Sequence, residues 1–342
     1  MLSRFKAAAR ILLKGDSKKK KRYPIPAITA EEIAEIKKFF RREKFFIFGH
    51  ARSGTTLLMR LVRLHPEVHC NYQAHFFTRP PLLKSLVDSP EAEEWLRRKS
   101  NRWNQGRDLS PLVLRAVADF IMERDAAKAG KHIVGDKSPS STIHGQAVRD
   151  LHAVYPDAKL VYVVRDGRDV LVSERFRNLV EESKFLKVED KRIIEELRKD
   201  QSQFTKGTRS IFTETVIRRM SKGWVANLAE TESEGQRLFG GNYFSLRYED
   251  LLENPFEEMT RLWRFLGVEK TDRSLEKKIK AEMESNPDEE WQAKRDEGIA
   301  SFLPKGQAGN WQRLFTAKDK SVFKEVAGEV LIKWKYENDL NW

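Results

Sequence analysis

Short apolar runs, each ended by a turn, recur along the chain at intervals that leave room for helices. Residues 45–48 form one such run and residues 160–164, rich in β-branched side chains, form another, so both predict buried strands. Residues 133–134 and 243–246 predict two more. Strands that alternate with helices over short connections indicate an α/β fold with a central, mainly parallel sheet flanked by helices. Such sheets bind ligands at the carboxyl ends of their strands.

Capping residues predict where several helices begin. Thr29 followed by Glu32 forms a capping-box pattern that opens a helix to about residue 42. Ser89 and Ser110 each precede a proline, which places a cap before a proline at the first helical position. The helices expected from these two pairs cover residues 90–99 and 110–129.

Charge and cysteine content narrow the range of partners. The chain has 342 residues, and 64 Lys and Arg against 51 Asp and Glu give a formal charge of +13, which favours anionic partners. The single cysteine, Cys70, excludes an intrachain disulfide and a zinc site built of cysteines, and it predicts a reducing compartment. The sequence shows neither a membrane-spanning apolar run nor a signal-peptide pattern. We therefore expect a cytoplasmic location.

The domain organisation follows from composition. Residues 1–28 predict a basic N-terminal arm, either a solvated tail or a helix that makes weak contact with an acidic membrane surface. Residues 29–342 predict a single domain. Residues 181–210 are charged and poor in apolar residues, which predicts an inserted helical excursion near the site or a solvated helix hairpin.

The loop after the first predicted strand has the composition of a phosphate-binding loop. Residues 49–56 read G-H-A-R-S-G-T-T and precede a helix predicted over residues 57–64. Backbone N–H groups at such a helix start bind phosphate oxygens, although a plain glycine turn with an exposed arginine has the same pattern. Thr55 stands where an ATP- or GTP-hydrolysing loop carries lysine, and the cation, Arg52, comes earlier. A nucleotide kinase is therefore disfavoured.

A second strand-turn-helix unit carries three polar residues at suggestive spacings. Arg165 ends the strand at residues 160–164, Ser173 follows eight residues later, and Arg177 lies four residues after Ser173. Ser173 and Arg177 share one helix face, so a single anion can contact all three side chains.

These two segments together resemble sulfotransferases that use 3′-phosphoadenosine 5′-phosphosulfate (PAPS). The resemblance implies a P-loop-like nucleotide-binding fold, no metal, and transfer of a sulfuryl group to a hydroxyl or, less favourably, an amine, with release of 3′-phosphoadenosine 5′-phosphate (PAP). It also implies that Arg165, Ser173 and Arg177 hold the 3′-phosphate. The residues that it places around the 5′ end are Arg52, Ser53, Gly54, Thr55 and Thr56.

The C-terminal part extends the resemblance. Residues 302–311 resemble the family segment R-K-G-x-x-G-D-W, so Lys305 and Gly306 carry over as 3′-phosphate ligands, whereas Pro304 and Asn310 depart from the pattern. Tyr248 matches a family tyrosine near the adenine.

The resemblance also implies catalytic residues. Lys137 matches a lysine aimed at the transferring group, and Arg52 neutralises charge on the leaving phosphate. Gln73 occupies the place where relatives carry a catalytic glutamate, and an amide cannot accept the proton. His75 is therefore the candidate general base, because the pKa of histidine lies near 7. The fallback candidates are His69, His50 and Asp136.

Three questions stay open at this stage. Gln73 also fits a nucleotide-binding protein that has lost catalysis. The acceptor can be a carbohydrate, a lipid, a small molecule or a peptide, because acceptor specificity lies in loops. The basic arm lacks interleaved aromatic residues and no nucleic-acid recognition motif occurs, so we expect no nucleic-acid partner.

Overall fold

A computed structural model describes residues 24–78, 82–141, 145–180, 186–268, 271–285 and 307–342. The basic run at the start of the chain lies outside the described residues, and so do Lys305 and Gly306. Among the described helices, none is both long and apolar enough to cross a membrane.

Within the described residues, five parallel strands form the central sheet. They are β1 (Glu43–Gly49), β2 (Val68–Tyr72), β3 (Ile133–Lys137), β4 (Lys159–Val164) and β5 (Tyr243–Arg247), in the order β2-β3-β1-β4-β5. The predicted fold class and the four predicted strands are confirmed. Strand β2 was not predicted.

Helices connect the strands and flank the sheet. In chain order they are α1 (Ala30–Ile36), α2 (Thr55–Val62), α3 (Leu82–Ser85), α4 (Pro90–Arg97), α5 (Ser110–Lys128), α6 (Gly145–Val154), α7 (Gly167–Val180), α8 (Val188–Lys199), α9 (Ser202–Thr205), α10 (Glu214–Phe239), α11 (Tyr248–Glu253), α12 (Pro255–Leu266), α13 (Ser274–Glu284), α14 (Trp311–Leu314) and α15 (Ala317–Lys333).

Two of the three predicted caps are confirmed. Thr29 and Glu32 form the capping box of α1, and the Ser89 hydroxyl caps α4 by accepting from the Ala92 N–H at 3.0 Å. The prediction for Ser110 is wrong, because this serine is the first residue of α5 and its hydroxyl accepts instead from the Arg97 guanidinium at 3.1 Å.

The sheet is covered on both faces because alternate strand residues point in opposite directions. Phe46, Phe48 and Tyr162 belong to one core, which includes residues of α5, α6, α10 and α15. Phe45 and Ile47 belong to the other core, with residues of α2, α12 and α13. Burial on both faces explains why β1 and β4 are continuous apolar runs.

The segment 181–210, for which the sequence predicts a helical excursion or a solvated hairpin, is described in part. Residues 181–185 lie outside the described residues, and the remainder contains α8 and α9. Ile193, Leu197 and Phe204 are fully buried in the larger core, and the Arg175 guanidinium donates to the buried Asp190 carboxylate at 2.6 Å. The solvated-hairpin alternative does not fit the described part, because Ile193, Leu197 and Phe204 pack inward, although Val188 is exposed.

The strand order places a crevice at the carboxyl edge of the sheet. From β1 the sheet continues through β3 to β2 on one side and through β4 to β5 on the other. The loops that follow β1 and β4 leave in opposite directions at such a point, which opens a site between them.

Candidate active site

The loop between β1 and α2 has the backbone conformation of an anion-binding turn. Gly54 lies in the left-handed region at φ 83° and precedes the first turn of α2, and Arg52 also has a positive φ of 73°. A Cβ on Gly54 would lie 2.1 Å from Cδ2 of Tyr248, so the Tyr248 ring packs directly on the loop. The N-terminal N–H groups of α2 are therefore presented beside a close-packed glycine.

The structure brings the second predicted unit against this loop. The Arg52 Nε donates to the Ser173 hydroxyl on α7 at 2.9 Å, and the Arg165 guanidinium donates to the Arg52 carbonyl at 3.0 Å. The Arg165 guanidinium carbon also lies 4.9 Å from the centroid of the Tyr248 ring. Arg177 lies one helical turn beyond Ser173 and is exposed. Two arginines and a serine from distant segments thus share one edge of the crevice.

An aspartate on α7 ties the C-terminal segment to the same place. The Asp169 carboxylate accepts from the Gly309 N–H at 2.7 Å and from the Trp311 N–H at 3.1 Å. The Arg165 guanidinium donates to the Gln307 carbonyl at 2.9 Å. Burial raises the pKa of Asp169 from its ordinary value, and the two N–H groups oppose that shift. The segment that follows Lys305 and Gly306 therefore lies against Arg165.

Two buried polar atoms in this region indicate an anionic ligand. The Ser53 hydroxyl oxygen and the Arg165 Nε are buried and have no hydrogen-bond partner within the described part of the chain. Buried donors without partners cost about 1–3 kcal/mol each. A phosphate or phosphosulfate group accepts from both kinds of donor, so these residues fit a PAPS-like nucleotide.

On the other side of the loop, Lys137 ends β3 with its side chain buried. Its ammonium donates to the Thr56 hydroxyl at 3.2 Å and lies 4.0 Å from the centroid of the Tyr72 ring. Thr55, the neighbour of Thr56, is buried at the start of α2. Lys137 is therefore held beside the phosphate-binding loop, at the carboxyl end of its strand.

The loop after β2 is pinned by polar groups at the end of β3. The Asp136 carboxylate accepts from the Ala74 N–H at 2.9 Å and from the Ser138 hydroxyl, which in turn accepts from the His75 N–H at 2.8 Å. Gln73 and His75 both have a positive φ, 54° and 52°. Burial raises the pKa of Asp136 from 3.8 to about 6. The side chains of Asp136 and Ser138 thus fix a strained loop.

The three candidate histidines lie in different surroundings. His75 is buried, with Nδ1 hydrogen-bonded to the Thr78 hydroxyl at 2.9 Å. His50 lies in the phosphate loop, where its Nδ1 donates to the Ala51 carbonyl, and burial lowers its pKa against the opposing influence of Glu174. His69 lies three residues before the end of β2, away from the carboxyl edge. Of the three, His50 and His75 lie in loops at the carboxyl edge of the sheet, where the residues expected to bind the nucleotide also lie.

Sequence reasoning missed three groups of site residues. Asp169 lies four residues after Arg165, within the second strand-turn-helix unit, but its contacts with Gly309 and Trp311 join segments far apart in the chain. Tyr72 belongs to a strand that was not predicted. Asp136 was considered only as a fallback base, whereas its two hydrogen bonds hold the Ala74–His75 backbone with the help of Ser138.

Curated proteins similar to this chain include animal protein-tyrosine sulfotransferases. Protein-tyrosine sulfotransferase A of Caenorhabditis elegans is 26% identical over 234 residues, which cover 67% of this chain and 51% of the relative. Protein-tyrosine sulfotransferase of Drosophila melanogaster is 32% identical over 127 residues, which cover 36% of this chain and 23% of the relative. The matches thus span about half or less of these relatives.

Solved structures give a looser match. The crystal structure of mouse sulfotransferase SULT7A1 complexed with PAP is 17% identical, covers 89% of this chain and 90% of that chain, and has a TM-score of 0.46.

The relatives correct the expected location. The matched protein-tyrosine sulfotransferases, including one from Danio rerio, are proteins of the secretory pathway, so the expectation of a cytoplasmic location is wrong. That expectation rested on one cysteine and on terminal patterns, and neither the fold nor the site requires a reducing compartment.

A family model supplies the assignment. The model described as "Sulfotransferase family" matches residues 44–273, which is about two thirds of the chain and includes both strand-turn-helix units of the site. This match confirms the resemblance noted in the sequence: the chain belongs to the sulfotransferase family.

Proposed function

We propose that this protein is a PAPS-dependent sulfotransferase that transfers a sulfuryl group to a hydroxyl acceptor, or less favourably to an amine, and releases PAP. The observation that carries the proposal is the contact between Arg52 of the phosphate loop and Ser173 of α7, with Arg165 bonded to the same loop. A 5′-phosphosulfate and a 3′-phosphate lie on one ribose, so the groups that bind them must be neighbours.

The residue roles follow from this placement. The N–H groups of the loop and of the first turn of α2 bind the 5′ end, through Arg52, Ser53, Gly54, Thr55 and Thr56. The 3′-phosphate is bound by Arg165, Ser173 and Arg177, and by Lys305 and Gly306, which lie outside the described residues. The Tyr248 ring, packed on Gly54 and near Arg165, forms a wall for the adenosine. Because Arg165 is a buried charged donor, we expect the site to bind a nucleotide with a 3′-phosphate more tightly than AMP.

The transfer step needs an acceptor oxygen in line with the sulfur. That oxygen forms a bond to sulfur while the bond from sulfur to the 5′-phosphate oxygen breaks, and the acceptor proton goes to a base. We assign the base to His75. The Lys137 ammonium stabilises the sulfuryl group during transfer, and the Arg52 guanidinium stabilises the negative charge that develops on the leaving phosphate oxygen.

The acceptor class stays unassigned beyond a hydroxyl or amine group on a carbohydrate, lipid, small molecule or peptide. Two of the matched relatives are named for protein tyrosine. We propose that residues 29–342 form one catalytic domain, and that residues 1–28 form a basic arm able to make weak contact with an acidic membrane surface.

The test is calorimetric titration of the purified protein with PAP, beside AMP and magnesium ATP. We expect PAP to bind at least tenfold more tightly than AMP, because one charge-assisted hydrogen bond to the 3′-phosphate contributes about 1.5–3 kcal/mol. Equal affinity for PAP and AMP, or a preference for magnesium ATP, would exclude the proposal.

A pair of variants separates the specific contact from general charge. Arg165→Ala should abolish most of the preference for PAP over AMP. Arg149→Ala removes one positive charge from an exposed ion pair with Glu234 and should leave both affinities unchanged. PAP binding without transfer to any acceptor would instead support the second candidate function, a nucleotide-binding protein that has lost catalysis, which Gln73 favours.

A further inference from the structure

The side chain of Tyr72 covers the buried end of Lys137. Tyr72 and Lys137 are register partners at the carboxyl ends of the neighbouring strands β2 and β3. The lysine ammonium lies 4.0 Å from the centroid of the tyrosine ring. Tyr72 is 59% exposed, whereas Lys137 is 0% exposed. The ring therefore lies against the buried ammonium while much of its own surface is open to solvent.

This contact fixes the direction of a flexible side chain. Lysine has four rotatable carbon–carbon bonds, and its ammonium is a point charge without the planar geometry that orients an arginine. A cation over an aromatic face is attracted by the ring quadrupole. The Thr56 hydroxyl, 3.2 Å from the same ammonium, supplies a second contact from the first turn of α2. The ring and the hydroxyl together aim the charge at the phosphate loop.

The exposure of Tyr72 argues against a packing role. A side chain that is more than half exposed buries little apolar surface, so it contributes little to stability. A large aromatic ring left exposed at the carboxyl edge of the sheet is better explained by what lies beneath it.

We propose that Tyr72 is a positioning residue for Lys137: its ring face holds the ammonium where the sulfuryl group is transferred and shields it from solvent. This role rests on the proposed function, since it acts through the group that contacts the sulfuryl oxygens.

The geometry can be tested without an acceptor by amine labelling. Free protein is treated with an acetylating reagent, and the modification of Lys137 is followed by peptide mass spectrometry. Tyr72→Leu, which keeps bulk but removes the aromatic face, should raise the labelling rate of Lys137 at least tenfold. Tyr72→Phe keeps the face and should label like wild type. Equal rates in the Leu and Phe variants would overturn the shielding role.

The function of the contact is tested by nucleotide binding. Tyr72→Leu should weaken PAPS binding about three- to thirtyfold, the range expected for loss of one cation–π contact. PAP lacks the sulfuryl group, so its affinity should change less than twofold, and Tyr72→Phe should bind both nucleotides like wild type.

A double-mutant cycle decides whether Tyr72 acts through Lys137. In a Lys137→Met background, Tyr72→Leu should change PAPS affinity less than twofold. A loss of the same size in both backgrounds, or no loss in either, would overturn the inference. Wild-type protein that binds neither PAP nor PAPS would overturn the proposed function, whereas normal wild-type binding that Tyr72→Leu leaves unchanged would overturn only the role of Tyr72.

Discussion

Replacing Gly54 by alanine perturbs the phosphate loop at its most constrained residue. Gly54 has φ 83°, and a Cβ there would lie 2.1 Å and 2.2 Å from two ring carbons of Tyr248. The left-handed conformation costs an alanine about 1–2 kcal/mol. Forcing the buried ring aside adds about 1–3 kcal/mol, the usual cost of overpacking. We therefore expect Gly54→Ala to lower the free energy of unfolding by about 2–5 kcal/mol.

Gly130 provides a matched control for this variant. It has a positive φ of 65°, but a Cβ there would meet no atom within 4 Å. Gly130→Ala therefore carries the backbone cost alone, about 1–2 kcal/mol. The difference between the two variants measures the displacement of Tyr248.

The assay combines urea unfolding with calorimetric titration of PAP. Displacing Tyr248 also disturbs Arg165, whose guanidinium lies over the ring, so Gly54→Ala should weaken PAP binding at least tenfold while Gly130→Ala leaves it unchanged. If Gly54→Ala is no less stable than Gly130→Ala and binds PAP like wild type, the close packing of loop and ring does not build the nucleotide site.

Two further predictions concern the loop after β2. With an acceptor found by screening, His75→Ala should lower the rate at which PAPS is converted to PAP by about a hundred- to ten-thousand-fold, and it should leave the affinity for PAP within about twofold of wild type. His69→Ala is the control. An active His75→Ala protein would assign the general base to another residue. Burial raises the pKa of Asp136 from 3.8 to about 6, so the protonated form is favoured in the folded state. The stabilisation that this pKa shift gives the folded state is complete below pH 3.8 and is lost as the pH rises through about 6. The free energy of unfolding of wild type should therefore fall by about 3 kcal/mol relative to that of Asp136→Asn across this pH window, as measured by urea unfolding. Parallel pH profiles for the two proteins would contradict this shift.

The sequence was most informative where one physical constraint dominated a segment. Residues of β1 and β4 are buried on both faces, so their apolar runs marked them as strands. Strand β2 lies at the edge of the sheet, and it carries the partly exposed His69 and Asn71 and the exposed Tyr72. Mixed polarity over five residues does not separate a strand from a loop, so this element and its aromatic residue were missed.

The candidate site divides in the same way. The eight-residue spacing of Arg165 and Ser173 was enough to predict that both residues contact one anion. The glycines at the start of a predicted helix were enough to predict the phosphate loop. The choice among His75, His50 and His69 was different, because it depends on which loop reaches the carboxyl edge. The structure places His69 away from that edge, and it shows that Asp136 and Ser138 hold the backbone beside His75.

Local order in the chain determined the fold class, the phosphate loop and the family, because turns, caps and strand runs depend on residues only a few positions apart. The order and register of the strands determined which residues from distant segments meet in the site. Arg52 and Ser173 are 121 residues apart in the chain, and they meet because β4 lies beside β1. Tyr72 covers Lys137 because the parallel register of β2 and β3 aligns their last residues. Such contacts are set by packing between distant segments, which no local pattern in the sequence encodes.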